Sequence, residues 1–403
     1  MKGKQFKPLI EDISFDHDPE EEAEADFFED VSPEILNSEE AKLTEEEKEI
    51  ICSDECLGHN PIIKSREFFT LYWLAKEIKI DFDVLLEVLR SIRLGKETYK
   101  KIYLQKANNS KRQIFIPEDN LKMVQKKINK HILSFLFKPA KNVFGFSGGS
   151  IIDAITPHLK AKSLLCVDFK DAFPTITFDD IFDYLTTGRG VWRSGWPTKI
   201  VGIDKGWFSW YGARIITELT TFKGKLPQGA PTSPRLFDLL CEPIDRALLK
   251  IADKVKGRYT RYADNIFFSI DEDEFPRPLR QAILKTIEGR RKYSSLIGHQ
   301  KHVRYKGPCF DWHKLRIKKI GKNPQKLLGL NIIENKVHNT RSFKKRLRLT
   351  LHHINWLLDQ NMQETREFET AWQKLQGQIN FARADTLPKK LMEGYLELEG
   401  KLK

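Results

Sequence analysis

Two short segments, far apart in the chain, each bring a strand-forming run to an end on a carboxylate. The first, Leu165-Cys166-Val167-Asp168-Phe169-Lys170-Asp171-Ala172-Phe173, delivers Asp168 to the exposed end of an apolar strand just before the chain turns towards a helix. The second, Tyr262-Ala263-Asp264-Asn265, is a turn between two β-rich runs, which puts Asp264 at the tip of a hairpin spanning Arg258 to Ile270. Carboxylates on two adjacent strands can bridge a pair of Mg2+ ions about 3.5 to 4 Å apart, the arrangement that activates an attacking oxygen and steadies a leaving pyrophosphate in phosphoryl transfer. Either segment alone says little, because an Asp behind an apolar strand is commonly a helix cap. Between them lies Lys225-Leu226-Pro227-Gln228-Gly229-Ala230-Pro231-Thr232-Ser233-Pro234. This loop, stiffened by Gly and Pro, enters a helix and suits a close approach of backbone and Gln228 amide to a sugar or base; its plain reading is a turn.

Charge points the same way. Formal net charge is +12, but residues 1–60 hold 5 Lys/Arg and 20 Asp/Glu, a net of −15, which leaves +27 on the rest of the chain. A body that basic, with cations beside aromatics, has the electrostatic footprint of a nucleic-acid binder; the bland alternative is a well-solvated surface. The acidic arm is either a disordered solubilising tail or a segment that lies in the basic cleft and competes with nucleic acid. At 403 residues the chain has room for roughly two to four domains. It holds no uninterrupted apolar run of membrane-spanning length and no readable secretory signal, so a soluble protein is expected. Five scattered cysteines fit a reducing cytoplasm better than a disulfide framework.

Periodicity sketches the rest. Ser32 to Ile51 reads as one helix in the acidic arm, and Glu67 to Leu94 has apolar residues at helical spacing (Phe68, Leu71, Leu74, Ala75, Ile78). Lys101 to Ile116 alternates like two strands around Asn108-Asn109-Ser110, and Leu121 to Phe137 is an amphipathic helix. Phe178 to Leu185 and Arg235 to Ile251 read as helices, the latter with Leu236, Leu239, Leu240 and Ile244 on one face; the chain from Phe343 on is mostly helical and basic at its start. The segment Thr186 to Trp207 carries Trp192, Trp196 and Trp207, which either stack nucleobases or pack on their own domain. Cys52, Cys56 and His59 lack an evident fourth zinc ligand and read as ordinary residues.

In this order the segments resemble the palm of a bacterial retron-like reverse transcriptase, over about Lys100 to Ile333. Ser110 to Leu133 looks like the family's first fingers motif, Phe144-Gly145-Phe146 through Ser150 the second, Val167 to Thr175 motif A, Leu226 to Pro234 motif B and Tyr259 to Ser269 motif C. Gly298 to Tyr305 resembles motif D, and Leu327-Leu328-Gly329-Leu330 the segment leading into the thumb. The resemblance implies an α+β right-hand polymerase: an acidic N-terminal extension (1–60), fingers and an RRM-like antiparallel palm sheet (61–334), and a helical thumb (335–403).

It also implies roles. Asp168 and Asp264 would hold two Mg2+ ions, or Mn2+ in their place, with the backbone carbonyl of Phe169 as a further ligand and Asn265 as the third member of the catalytic set. Phe173 would lie under the incoming sugar and clash with a ribose 2′-OH; Gln228 and Gly229 would contact that sugar, Arg112 the phosphates and Lys301 the departing pyrophosphate. Implied partners are an RNA template or non-coding RNA, dNTPs and the DNA product, with a protein partner or homo-oligomer left open and no membrane.

Three departures stand out. The family's usual Tyr-x-Asp-Asp reads Tyr262-Ala263-Asp264-Asn265, so the third carboxylate is an amide. The retron Asn-Ala-x-x-His reads Ala154-Ile155-Thr156-Pro157-His158, keeping the His, and Val-Thr-Gly reads Leu327-Leu328-Gly329. These departures favour the unclassified retron-like enzymes linked to phage defence, with a strict retron as a close second. Two rivals remain: a catalytically weak or inactive RNA-binding subunit, suggested by Asn265, and protein-primed or untemplated DNA synthesis.

Overall fold

The computed structural model describes residues 61–105, 111–136, 139–146, 148–187, 210–289, 309–310, 314–320, 325–382 and 387–402. The acidic arm, the Cys52/Cys56/His59 group, nearly all of the Trp-rich segment and the motif D segment with Lys301 lie outside them. The chain divides into two units, each assembled from separated stretches. One takes 1–140, 168–250 and 276–313, the other 141–167, 251–275 and 314–403. Among the described residues no helix is long and apolar enough to cross a membrane.

The first unit is mainly helical. The helical spacing read over Glu67 to Leu94 belongs to two helices, α1 (Pro61–Ile78) and α2 (Phe82–Arg93). The break has a local cause: Lys79 takes φ 56°, and the Asp81 carboxylate accepts the Asp83 (2.9 Å) and Val84 (3.4 Å) amides, capping a new helix. Strands β1 (Tyr99–Gln105) and β2 (Lys111–Pro117) form an antiparallel hairpin with Tyr99 opposite Pro117. Helix α3 (Asp119–Ile128) buries Leu121, Val124, Gln125 and Ile128 on one face and runs on into a π turn, Asn129–Leu133. Helices α5 (Phe178–Thr187), α6 (Trp210–Thr220), α7 (Ser233–Lys254) and α8 (Arg277–Gly289) follow; in α7 Leu236, Leu239, Leu240 and Ile244 are buried, as their spacing predicts.

The second unit carries the sheet. Strand β3 (Val143–Phe144) pairs in parallel with β5 (Arg258–Tyr262), which pairs antiparallel with β6 (Asn265–Ile270). After the short helix α4 (Ile151–Ile155), whose start Ser150 and Asp153 close as a capping box, comes β4 (Ser163–Lys170), and its first residues pair with β8 (Arg316–Lys319). The strand order runs β3-β5-β6-β4. Phe267 of β6, Leu164 of β4 and Ile155 of α4 share a core with Leu327, Leu330 and Ile332, which come from a separate three-stranded sheet of β9 (Gln325–Leu327), β10 (Leu330–Ile333) and β11 (Lys336–Asn339). That sheet is absent from the reading of the sequence, which took the segment as a lead into helices. Its β10–β11 turn is Glu334-Asn335, at φ 50° and 60°, the left-handed pair that closes a tight hairpin. Three helices end the chain, α9 (Arg341–Asp359), α10 (Arg366–Ala382) and α11 (Lys389–Leu402), around Leu347, Ile354, Leu357, Leu375 and Leu398. Each of those leucines stabilises by about 1.5 to 3 kcal/mol on burial.

Candidate active site

In the first unit the Gln228 loop is clamped to the β2 strand. The Phe115 amide donates to the Gln228 carbonyl (2.8 Å), and Gly229, at φ 120°, lies so close to β2 that a Cβ there would fall 2.6 Å from Ile114 Cγ2 and 2.7 Å from the Phe115 carbonyl oxygen. Only glycine satisfies both demands. The loop is braced behind by the Leu226 amide on the Ile176 carbonyl (3.0 Å) and by the Ser233 hydroxyl on the Pro227 carbonyl (2.6 Å). Its other edge rests on aromatics: Phe222 packs with tilted rings against Tyr99 (4.6 Å) and Phe115 (5.1 Å). The buried Gln125 amide donates to the Tyr99 hydroxyl (2.6 Å) and the Leu219 carbonyl (2.8 Å). Arg112, exposed on the same β2 strand opposite Leu104, is thus carried by the strand that holds Gln228 and Gly229.

Asp168 and Phe169 lie in the last three residues of β4, and Asp168 is half-buried. Phe169 packs edge-on against Phe237 of α7 (5.6 Å), and half-buried Phe173 leans on the same ring (5.6 Å). A turn with Asp171 at φ 44° and the Ile176 amide on the Phe173 carbonyl (3.0 Å) holds the backbone there. Phe173 is therefore set in place by α7, the helix that the Gln228 loop enters.

In the second unit the β5–β6 hairpin is fixed at three levels. At its open end Arg258 forks onto Asp271 (2.7 and 3.0 Å), a hydrogen bond that holds the Asp271 carboxyl below its usual range; the pair is largely exposed and adds little stability. Midway, fully buried His158 bridges both strands, Nδ1 to the Ser269 hydroxyl (2.7 Å) and Nε2 to the Thr260 hydroxyl (2.8 Å). Because the Thr260 hydroxyl itself donates to the Ala154 carbonyl (2.8 Å), it accepts from Nε2–H, and Nδ1 accepts from Ser269. Burial, helped by Arg258, pushes the His158 pKa down to about 3, so the ring is neutral.

At the tip, Ala263 (φ 52°) donates its amide to the Phe144 carbonyl (2.9 Å) and receives fully buried Arg261, whose Nη1 donates to the Ala263 carbonyl (2.8 Å). A Cβ on Gly145 (φ 98°) would meet the Ala263 amide nitrogen at 3.0 Å, so β3 and its glycine press on the turn from the side. Asp264 and Asn265 follow, and the Asn265 Nδ2 donates to Asp264 Oδ1 (2.9 Å). A carboxylate accepts but does not donate, so the amide must present its nitrogen to Asp264. Among the described residues no three His, Cys, Asp or Glu side chains cluster as a metal site.

The structure thus gathers Arg112, Gln228 and Gly229 on one strand-and-loop assembly and joins Phe169 and Phe173 through Phe237. It places Asp264 and Asn265 together on the braced turn, while Lys301 is outside the described residues. Arg261 was missed from sequence, because in the strand Arg258-Tyr259-Thr260-Arg261-Tyr262 nothing local separates the buried arginine from the partly exposed one. His158 was noted only as a motif remnant; its partners Thr260 and Ser269 could not be read from local pattern.

Comparison with known proteins adds a family. Residues 104–332 match the family described as reverse transcriptase (RNA-dependent DNA polymerase). The chain is 27% identical to the retron Ec86 reverse transcriptase of Escherichia coli over 275 residues, covering 67% of this chain and 75% of that one. It is 32% identical to the retron Mx162 reverse transcriptase of Myxococcus xanthus over 189 residues (44% and 36%), and 28% identical to the retron Se72 reverse transcriptase of Salmonella heidelberg over 203 residues (50% and 48%). The chain thus spans three quarters of the first relative and half or less of the other two.

Proposed function

Since the chain belongs to the reverse transcriptase (RNA-dependent DNA polymerase) family and is of the retron-like kind, we propose that it extends a primer 3′-OH with dNTPs on an RNA template by two-metal phosphoryl transfer. The observation that carries the reading is the braced β5–β6 turn: Arg261, Gly145 and Phe144 hold the turn that carries Asp264. By the family resemblance Asp168, Asp264 and the Phe169 carbonyl would be the metal ligands, and as hard oxygens they suit Mg2+, with Mn2+ as a substitute. Metal ions held there would activate the primer hydroxyl and offset charge on the departing pyrophosphate. Arg112 binds phosphates of the incoming nucleotide, Gln228 and Gly229 position its sugar, and Phe173, backed by Phe237, excludes a 2′-OH. We extend the reading to a cytoplasmic role in phage defence with a non-coding RNA, which rests on the family resemblance alone.

The test is labelled dNTP incorporation by the purified protein with its co-purifying RNA and with an added RNA template and DNA primer, in Mg2+ and in Mn2+, beside Asp168→Ala. Incorporation should disappear in the variant while RNA binding persists. A second reading, RNA binding without catalysis, is favoured by the Asn265 donor on Asp264, since the site then has one carboxylate fewer for metal. Bound RNA with no incorporation in either metal would establish it.

A further inference from the structure

We propose that Lys79, Lys127, Lys130 and His131, with the exposed ring of Phe135, form a docking site for the phosphate backbone of single-stranded RNA, separate from the residues assigned to the reaction. The inference rests on the polymerase reading only for the identity of the polyanion.

The site arises from how α3 buries its apolar face. With Leu121, Val124, Gln125 and Ile128 turned inward, Lys127 and Lys130 fall on the outer side, Lys130 exposed and Lys127 half-buried with its stem along the helix. The helix then continues as the π turn that carries His131, and α1 packs against that turn, so exposed Lys79, just beyond the C-terminus of α1, comes to the same place. The three lysines all bear on His131, whose pKa is lowered by desolvation and then by Lys130, Lys79 and Lys127, with Glu77 opposing. Phe135, 57% exposed, lies one turn beyond His131.

Counter-charge at the cluster is thin: Arg93 and Arg214 of the same unit both reach Glu218 (2.8 and 3.0 Å) and Lys96 reaches Glu87 (3.3 Å), whereas at His131 the three lysines are opposed by Glu77. Lys79, Lys127 and Lys130 form no ion pair with any described carboxylate, so the folded chain carries their mutual repulsion. A polyanion relieves it. Lysines serve as point-charge phosphate contacts without the planar geometry that arginine imposes, and an exposed ring beside them can stack an unpaired base. An acidic peptide would use the cations but not the ring.

The experiment uses the full chain and oligouridylate of roughly 20 nucleotides, with affinity measured across a salt series. The triple variant Lys79→Gln, Lys127→Gln, Lys130→Gln should bind about tenfold more weakly at 0.1 M salt and lower the salt slope by about two. A second triple, Lys389→Gln, Lys390→Gln, Lys401→Gln on α11, changes net charge equally and should have little effect. Equal losses in both triples, or none in either, would overturn the proposal. A photo-crosslinking amino acid at Phe135 should yield an RNA adduct, whereas an adduct with the chain's own acidic residues 1–60 would show an internal cover instead and overturn it. Wild-type incorporation on a short primer–template tests the polymerase reading separately.

Discussion

Replacing His158 with a residue that cannot titrate should remove a defined part of the protein's acid sensitivity. In the fold the imidazole is held neutral with a pKa of about 3, against an ordinary value of 6.5. The unfolded chain therefore binds one more proton than the native one between these values, and stability rises with pH across that window. The contribution is fully present above about 6.5 and is lost as pH falls towards 3. At pH 4.5, two units below the unfolded value, the loss is about 2.7 kcal/mol. His158→Gln keeps a donor and an acceptor between Thr260 and Ser269 but has no proton to take up. Other groups titrate too, so the quantity to read is the difference of differences. Urea midpoints by pulse proteolysis at pH 7 and 4.5 should show wild type losing about 2.7 kcal/mol more than the variant. Parallel pH profiles in the two proteins would refute the assignment of a buried neutral ring bridging the hairpin.

Gly229→Ala should lower dNTP incorporation by at least about tenfold with the fold retained, because the new Cβ meets backbone at 2.7 Å and the φ of 120° is strained for an L-residue; unchanged kinetics would mean the loop is not held against β2 during the reaction. Asn265→Asp exchanges the donor on Asp264 for a second carboxylate, so Mn2+ titration by electron paramagnetic resonance should show about tenfold tighter binding, with lower stability when metal is removed. Phe173→Ala should raise ribonucleotide incorporation relative to dNTP use, read from competition assays, since it removes the ring that Phe237 supports.

The sequence carries much of this chemistry because the relevant signals are local. An apolar run ending in Asp168, a turn at Ala263-Asp264 and a Gly- and Pro-stiffened loop at Gln228 are each written in a few consecutive residues, and β4, the β5–β6 hairpin and α7 form where those patterns lie. The helical spacing around Lys79 shows where locality ends, since apolar periodicity continues through a break that a positive φ and the Asp81 cap impose. The β9–β11 sheet was unreadable for a related reason: its strands are three or four residues long, too short for alternation to register, and share a core with Phe267 and Leu164.

What the sequence by itself determined is which residue types stand at the candidate positions, down to the amide in place of a carboxylate at Asn265. Tertiary structure alone decided how those groups are held: why position 229 must be glycine, why Arg261 can be buried, which tautomer His158 adopts and which end of the Asn265 amide faces Asp264. Each of these depends on a contact whose partner is chosen by packing and by the need to satisfy buried polar groups, and sequence order does not encode that choice locally.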